Sequence, residues 1–303
     1  MNFIEFARLN GVVIEYGQLY ASERIRRCGT VKDPRSKNGA FMWNGKSGWV
    51  KDWASDYPEV IWYKSENEDH EPIDRAFLVE AKESAKRAAE ERERGYMRAA
   101  ADAQNMLSRA KLMGHPYLVH KGFPNAQGLV LDNKLLIPMR NVESGNLQGV
   151  QQIYEVTEDG KKTFEKRMQY GMRSKDAVLV LGPRTSEEAW LVEGYATGLS
   201  LQASLGAIGA QVRIVVCFSA NNLLQVSPKI KGNVYVFADN DKSGTGERIA
   251  KETGRPWTMP DELGWDVNDL HINKGPFAVF KKVHDLKKVN LLHACKTVDA
   301  QLG

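Results

Sequence analysis

Short apolar runs that stop at turn or acidic residues dominate the second half of this chain. AVLVLG (177–182), AWLVEG (189–194), RIVVCFS (213–219) and NVYVFAD (233–239) are rich in Val, Ile, Leu and Phe. Such runs predict strands buried on both faces, as in a mostly parallel sheet. Between them ATGLSLQASLG, ANNLLQVSPKI and TGERIAKETG have helical composition, and WTMP adds a short strand. The alternation predicts an α/β domain over 176–285. The remaining segment reads as helical, with a helical tail over 286–303.

The first half has a different rhythm. IEFARLNGVVI opens with a short helix, and Gly-punctuated strands carrying Phe41, Trp43, Trp49, Trp53, Trp62 and Tyr63 follow. Asn-Gly pairs in KNGA and WNGKSGW signal hairpins, so 1–73 reads as a small α+β unit. Residues 74–112 are rich in Ala, Glu, Arg and Lys and predict one long helix, capped by Asp74 and stopped by Gly114. Gly95 is a place for it to bend. The helix reads either as a solvated spacer or as a contact surface, since Arg87, Arg94, Arg98 and Arg109 make one face basic. GLVLD, KLLIPMRN and GVQQIYEV then predict a small antiparallel β region over 113–175.

Composition changes this picture little, but charge distribution does. No apolar run reaches membrane-spanning length and MNFIEFARLN lacks a leader pattern, so a soluble, cytoplasmic protein is expected, with no membrane partner. Cys28, Cys217 and Cys295 form no C-x-x-C pair, which argues against a zinc ribbon or a disulfide framework. Cys217, inside an apolar run, reads as a core residue. The net charge of +4 conceals local excess. Six bases (Lys161, Lys162, Lys166, Arg167, Arg173 and Lys175) face the single acid Glu165, and 22–53 is similarly basic. Basic patches beside carboxylates point to a phosphate-bearing polymer.

The carboxylates themselves sit at element ends. Glu193 closes AWLVEG, Asp239 and Asp241 close VYVFADND, and Asp266 and Asp269 lie in GWDVNDL. Ligand groups in open α/β sheets gather at the carboxyl ends of strands. Acids clustered there repel unless a cation lies between them, and oxygen-only ligands select Mg²⁺ or Mn²⁺. Asp239 and Asp241 are candidate metal ligands. Glu193 is a further ligand or the catalytic acid/base. Asp269, with Asp266, is a second-site or outer-shell ligand. The amides of the 243–246 loop are candidate phosphate donors. His115 and His120 read as structural.

A Glu-Gly after one strand, Asp-x-Asp after a later one and a closing Asp-rich turn resemble the Toprim domain of bacterial-type primases, topoisomerases and some nucleases. HPYLVHKG, KLLIPMRNVESGNLQGVQQIY and DGKKTFEKR resemble the basic β subdomain before Toprim in primases. RIRRCGTVKDPRSKNGAFMWNGKSGWVKDW and SANNLLQV are similar to segments of primase-like proteins of phages and conjugative plasmids. The resemblance implies short RNA primer synthesis on a single-stranded DNA template from NTPs, in the cytoplasm of a bacterial host. It implies that Lys134, Arg140, Lys166 and Arg167 bind template or nucleotide phosphates. The chain lacks the zinc-binding module of many primases and has no P-loop, so unwinding would fall to a separate replicative helicase. Arg24, Arg26 and Arg27, with Trp43, Trp49 and Trp53, form a second nucleic-acid candidate, although such tryptophans also serve as small-domain cores. A Toprim nuclease and a non-catalytic DNA-binding accessory protein remain alternatives.

Overall fold

The structure is a computed structural model that describes residues 1–55, 59–64, 75–158 and 160–302, without the side chains of 23, 64, 75–85 and 291–302. Asp74, the expected helix cap, lies outside the described residues. The chain divides into two compact units, Met1–Ala85 and Lys86–Gly303.

In the first unit, helix α1 (Phe3–Leu9) starts at Asn2, whose side chain caps the Glu5 amide while Glu5 reaches back to the Asn2 amide. Strands β1 (Val12–Val13), β2 (Ser22–Thr30), β3 (Gly39–Trp43), β4 (Ser47–Asp52) and β5 (Ile61–Lys64) form one antiparallel sheet in chain order. The β3–β4 turn closes as its sequence predicts. Asn44 Oδ1 accepts from the amides of Lys46 and Ser47, and Gly45 takes a φ of 100°. Phe3, Ala7, Val12, Phe41, Val50 and Tyr63 form the core, with Trp43 stacked on Phe3 at a centroid distance of 4.6 Å.

Helix α2 (Arg75–Arg109) passes Gly95 without a break. It stops five residues before the expected Gly114, because β6 (Lys111–Met113) pairs with β7 (Gly128–Leu131) instead. Nor is its later half a solvated spacer. Ala99 and Ala103 are buried, and Gln169 donates to the Ala99 carbonyl at 2.8 Å.

Helix α3 (Pro116–His120) and strands β8 (Lys134–Asn141), β9 (Leu147–Glu158) and β10 (Lys161–Met168) complete the β region. Strand β11 (Ala177–Leu181) pairs with β8 through Ala177↔Asn141 and Val178↔Arg140. A single ten-stranded sheet therefore runs through 111–258. After β11 come β12 (Glu188–Val192), α4 (Tyr195–Gly206), β13 (Arg213–Val216), α5 (Ala220–Val226), β14 (Asn233–Phe237), α6 (Thr245–Glu252), β15 (Trp257–Thr258), α7 (Val267–Lys274) and α8 (Pro276–Leu302). Strands β13, β12, β14 and β15 are parallel in that spatial order, and β11 lies antiparallel beside β13. The sheet is thus mixed. Only residues 182–187 join β11 to β12, too few for the crossover that a parallel pair requires. Apolar side chains fill both faces. Leu191, Val215 and Val236 meet α5 and α6, while Trp190, Val192 and Phe237 meet α4, α7 and α8.

Candidate metal and phosphate site

The parallel strands place the acids. Leu191 pairs with Val236 in neighbouring β12 and β14, so Glu193 and Asp239 leave the same edge of the sheet side by side. Three backbone clamps hold that edge. The Phe218 amide donates to the Glu193 carbonyl at 2.8 Å from a residue forced to a φ of 66°, a conformation that disfavours a side chain as large as Phe. Asn222, in the Asn-rich α5 start, donates to the carbonyls of Ala177 and Cys217 and accepts from the Asp176 amide, tying β11 to the end of β13. Asn240 donates its amide to the Trp265 carbonyl and its side chain to the Pro260 carbonyl, which holds the loop leading to Asp266 against the end of β14.

The acids differ in state. Asp239 Oδ1 is buried without a hydrogen-bond partner. Burial, then the charges of Asp266, Glu193 and Asp241, push its pKa up to about 8, against the opposing pull of Lys166. Glu193 is raised by burial and then by Asp241, again opposed by Lys166. Asp241 is held low: burial works against it, but the Ser243 hydroxyl and the amides of Gly246, Thr245 and Ser243 outweigh that effect. Those amides are spent on Asp241, at 2.7 Å from Gly246 and 2.8 Å from Ser243, and are not free donors for phosphate as expected. Asp266 and Asp269 form a reciprocal capping box at the start of α7, at 2.9 and 3.1 Å. Asp266 acts on Asp239 by charge, whereas Asp269 is engaged as the cap partner.

Among the described residues, Lys166 is the cation whose charge acts on Asp239 and Glu193. In β10, Lys166 pairs with the buried Ile153, and its ammonium lies 5.6 Å from the ring centre of Tyr117 on α3. Lys166 is exposed by surface area, yet crowding by protein around its charged end lowers its pKa, followed by Lys121, while Asp266, Asp239 and Glu193 pull it back up. Sequence reading missed Tyr117 and Lys121. The Tyr117 hydroxyl is buried without a partner and its pKa is raised by burial, Asp266 and Tyr195. HPYLVHKG held that signal, as an aromatic in a short helix beside a basic turn. Asn268 fixes this helix to the acidic side by donating to the Lys121 carbonyl and to Ser200 Oγ, both at 2.9 Å. His115 caps α3 by accepting from the Tyr117 amide.

The other expected phosphate ligands are dispersed. Arg167 pairs with Gln152, so strand alternation sends it to the opposite face from Lys166. There Glu165 accepts from Arg167 Nε and from Tyr154 at 2.7 Å each, and Lys134 donates to Gln152 at 3.4 Å. Arg140 donates to the Gly145 carbonyl at 3.3 Å. In the first unit, Arg24 is exposed, whereas Arg26 donates to the carbonyls of Gln18 and Tyr20 and lies 3.2 Å from the Tyr20 ring centre. Trp43 belongs to the aromatic core. The half-exposed Trp53 instead carries Arg27 at 5.3 Å and Lys51 at 3.7 Å over its ring.

Among the described residues, no three His, Cys, Asp or Glu side chains converge closely enough to form a metal centre as they stand. The donor chemistry nevertheless fits a hard divalent ion: carboxylate oxygens only, one of them buried without a donor, with burial and neighbouring acids raising the pKa of Asp239 and Glu193. Glu193 and Asp239 line a crevice of only about 10 Å³, whose other walls are mostly apolar side chains of α5, β14 and α6.

Residues 188–276 match the family model for the Toprim domain. The second unit therefore contains a Toprim domain, with Glu193, Asp239, Asp241, Asp266 and Asp269 inside the matched span. The solved structure of the DnaG catalytic core is similar over 67% of this chain and 72% of that one, at 15% identity and a TM-score of 0.36. Among the described residues, no helix is long and apolar enough to cross a membrane.

Proposed function

We propose that this chain is a primase-like nucleotidyltransferase that uses Mg²⁺ or Mn²⁺ to make short RNA primers on single-stranded DNA, alongside a separate helicase in a phage- or plasmid-type replication system of a bacterial cytoplasm. The observation that carries this reading is the placement of Lys166. A lysine from the basic β layer faces Asp239, Asp266 and Glu193 at the sheet edge, with the Tyr117 ring beside it. Carboxylates opposite a lysine make a slot for a metal-bound phosphate.

Asp239 and Asp241 would hold the cation, with Glu193 either a further ligand or the acid/base. When bound, the cation supplies activation of a 3′-hydroxyl and neutralisation of charge on the transferred phosphoryl group. Lys166 binds a phosphate oxygen and orients it over the acids. Glu193, with its pKa raised, is suited to hold a proton beside the reacting oxygen. On the first unit, Trp53 with Arg24, Arg27 and Lys51 offers a stacking ring and cations to single-stranded DNA.

The test is a gel. The protein is incubated with single-stranded DNA, labelled NTPs and Mg²⁺ or Mn²⁺. Short oligoribonucleotides made by the wild type and lost in Glu193→Gln and Asp239→Asn are expected. DNA shortening without NTPs would replace this reading with a nuclease. DNA binding without product, indifferent to both substitutions, would replace it with a scaffold.

A further inference from the structure

Beside the β8–β11 junction lies a cavity of about 360 Å³ that the proposed priming reaction does not use. Its walls include three arginines, Arg140 from β8, Arg184 from the β11–β12 connection and Arg213 from the start of β13. None of the three is paired with a carboxylate among the described residues. Arg213 is held by the carbonyls of Arg184 at 3.3 Å and Lys231 at 2.9 Å, and its Nε–H is left without an acceptor. Among the described residues, the Arg140 side chain bonds only the Gly145 carbonyl. Arg184 is exposed and its side chain makes no hydrogen bond among the described residues. Glu143 is the acid in the wall, and Lys229 binds it at 3.1 Å while also binding Asp176 at 2.7 Å. The net field in the cleft is therefore positive.

Asn141 and Ser144 add polar groups to the lining, and the remaining wall is apolar. Val178 and Val180 of β11, with Pro138 and Val142, provide a surface on which a flat ring can lie. A volume of this size suits one drug- or nucleotide-sized ligand rather than a long chain. Guanidinium groups bind phosphate oxygens through two parallel hydrogen bonds, and backbone carbonyls that fix two of the three arginines pre-organise them for that role.

We propose that this cleft is a second, metal-independent phosphate-binding site, sized for a single nucleotide whose phosphates meet Arg184, Arg213 and Arg140. It goes beyond the priming reading and stands whether or not the carboxylates perform that reaction. The same chemistry could be supplied by the phosphodiester backbone of a nucleic acid.

Isothermal titration of the full chain in EDTA separates these cases, because without a cation the carboxylate cluster repels polyphosphate. ATP, inorganic pyrophosphate and an oligothymidylate are titrated separately into wild type, Arg184→Glu and Asp239→Asn. Saturable ATP binding, weakened tenfold or more by Arg184→Glu and unchanged in Asp239→Asn, is expected. Oligothymidylate binding with the same dependence on Arg184, and no ATP binding, would keep the phosphate site but assign it to a nucleic-acid backbone. Absence of binding by all three probes, or binding indifferent to Arg184→Glu, would overturn the proposal. Arg184 lies exposed outside the core, so circular dichroism of the variant should match wild type.

Discussion

Replacing Asp239 with asparagine keeps the shape of the side chain and removes its charge. In the folded chain without metal, that carboxyl moves from an ordinary 3.8 up to about 8, chiefly through burial and then through Asp266, Glu193 and Asp241. Below pH 3.8 it is neutral in folded and unfolded chains alike. Between 3.8 and about 8 the unfolded chain releases the proton and the folded chain keeps it, so stability falls as pH rises, by up to about 1.4 kcal/mol per unit. Accumulated to pH 7 the upper limit is about 4 kcal/mol, and roughly half is expected because neighbouring acids share the titration. For a unit of this size, Asp239→Asn should therefore melt about 4–8 °C above wild type at pH 7 in EDTA, with the gap closing towards pH 4. Millimolar Mg²⁺ should raise the wild-type melting temperature and leave the variant where it was. Melts by circular dichroism across pH 4–8.5, with EDTA and with Mg²⁺, provide the measurement. A variant less stable than wild type at pH 7 in EDTA, or equal stabilisation of both by Mg²⁺, would refute the reasoning.

Other substitutions test the surroundings of the site. Lys166→Ala should reduce the log–log salt slope of DNA binding by about one, whereas Arg167→Ala, bound to Glu165 on the opposite face, should change it far less; slopes from titrations at several salt concentrations decide this. Gly246→Ala would bring a methyl group within 2.1 Å of the Asp239 carbonyl, so it should cost about 1–3 kcal/mol in denaturant unfolding and abolish the Mg²⁺-induced rise in melting temperature. Trp43→Ala should destabilise the first unit by about 2–4 kcal/mol, while Trp53→Ala should leave its melting unchanged and weaken single-stranded DNA binding measured by anisotropy.

The acids at the strand ends were legible because their chemistry is local. A carboxylate after an apolar run marks a strand end whatever its neighbours, and Glu193 and Asp239 do leave adjacent strands. What surrounds them is long-range and left a weaker trace. Lys166 and Arg167 were grouped by adjacency, although the two-residue period of a strand already separates their faces. Tyr117 reaches the site from α3, which core packing and Asn268, 147 residues away from Lys121 in sequence, hold in place. The capping box that Asp269 closes with the Asp266 amide was not legible in GWDVNDL, because a capping-box acid and a metal ligand have the same composition. The antiparallel β11 could have been foreseen from its short connection to β12, but its pairing with β8, which fuses the basic β region to the α/β sheet, has no local signature. In the first unit, aromatic content predicted a core and a stacking surface without allotting rings to either; burial assigns Trp43 to the core and leaves Trp53 at the surface.

The central claim is that Asp239 anchors a divalent-cation site at this sheet edge. Titration of Mn²⁺ into the full chain at pH 7, repeated in buffers of different ionisation enthalpy, measures binding and proton release together. With the Asp239 pKa at about 8, wild type should bind Mn²⁺ and release about one proton, and Asp239→Asn should lose both signals. Mn²⁺ binding that is unchanged in Asp239→Asn, or that releases no proton from wild type, would contradict the account.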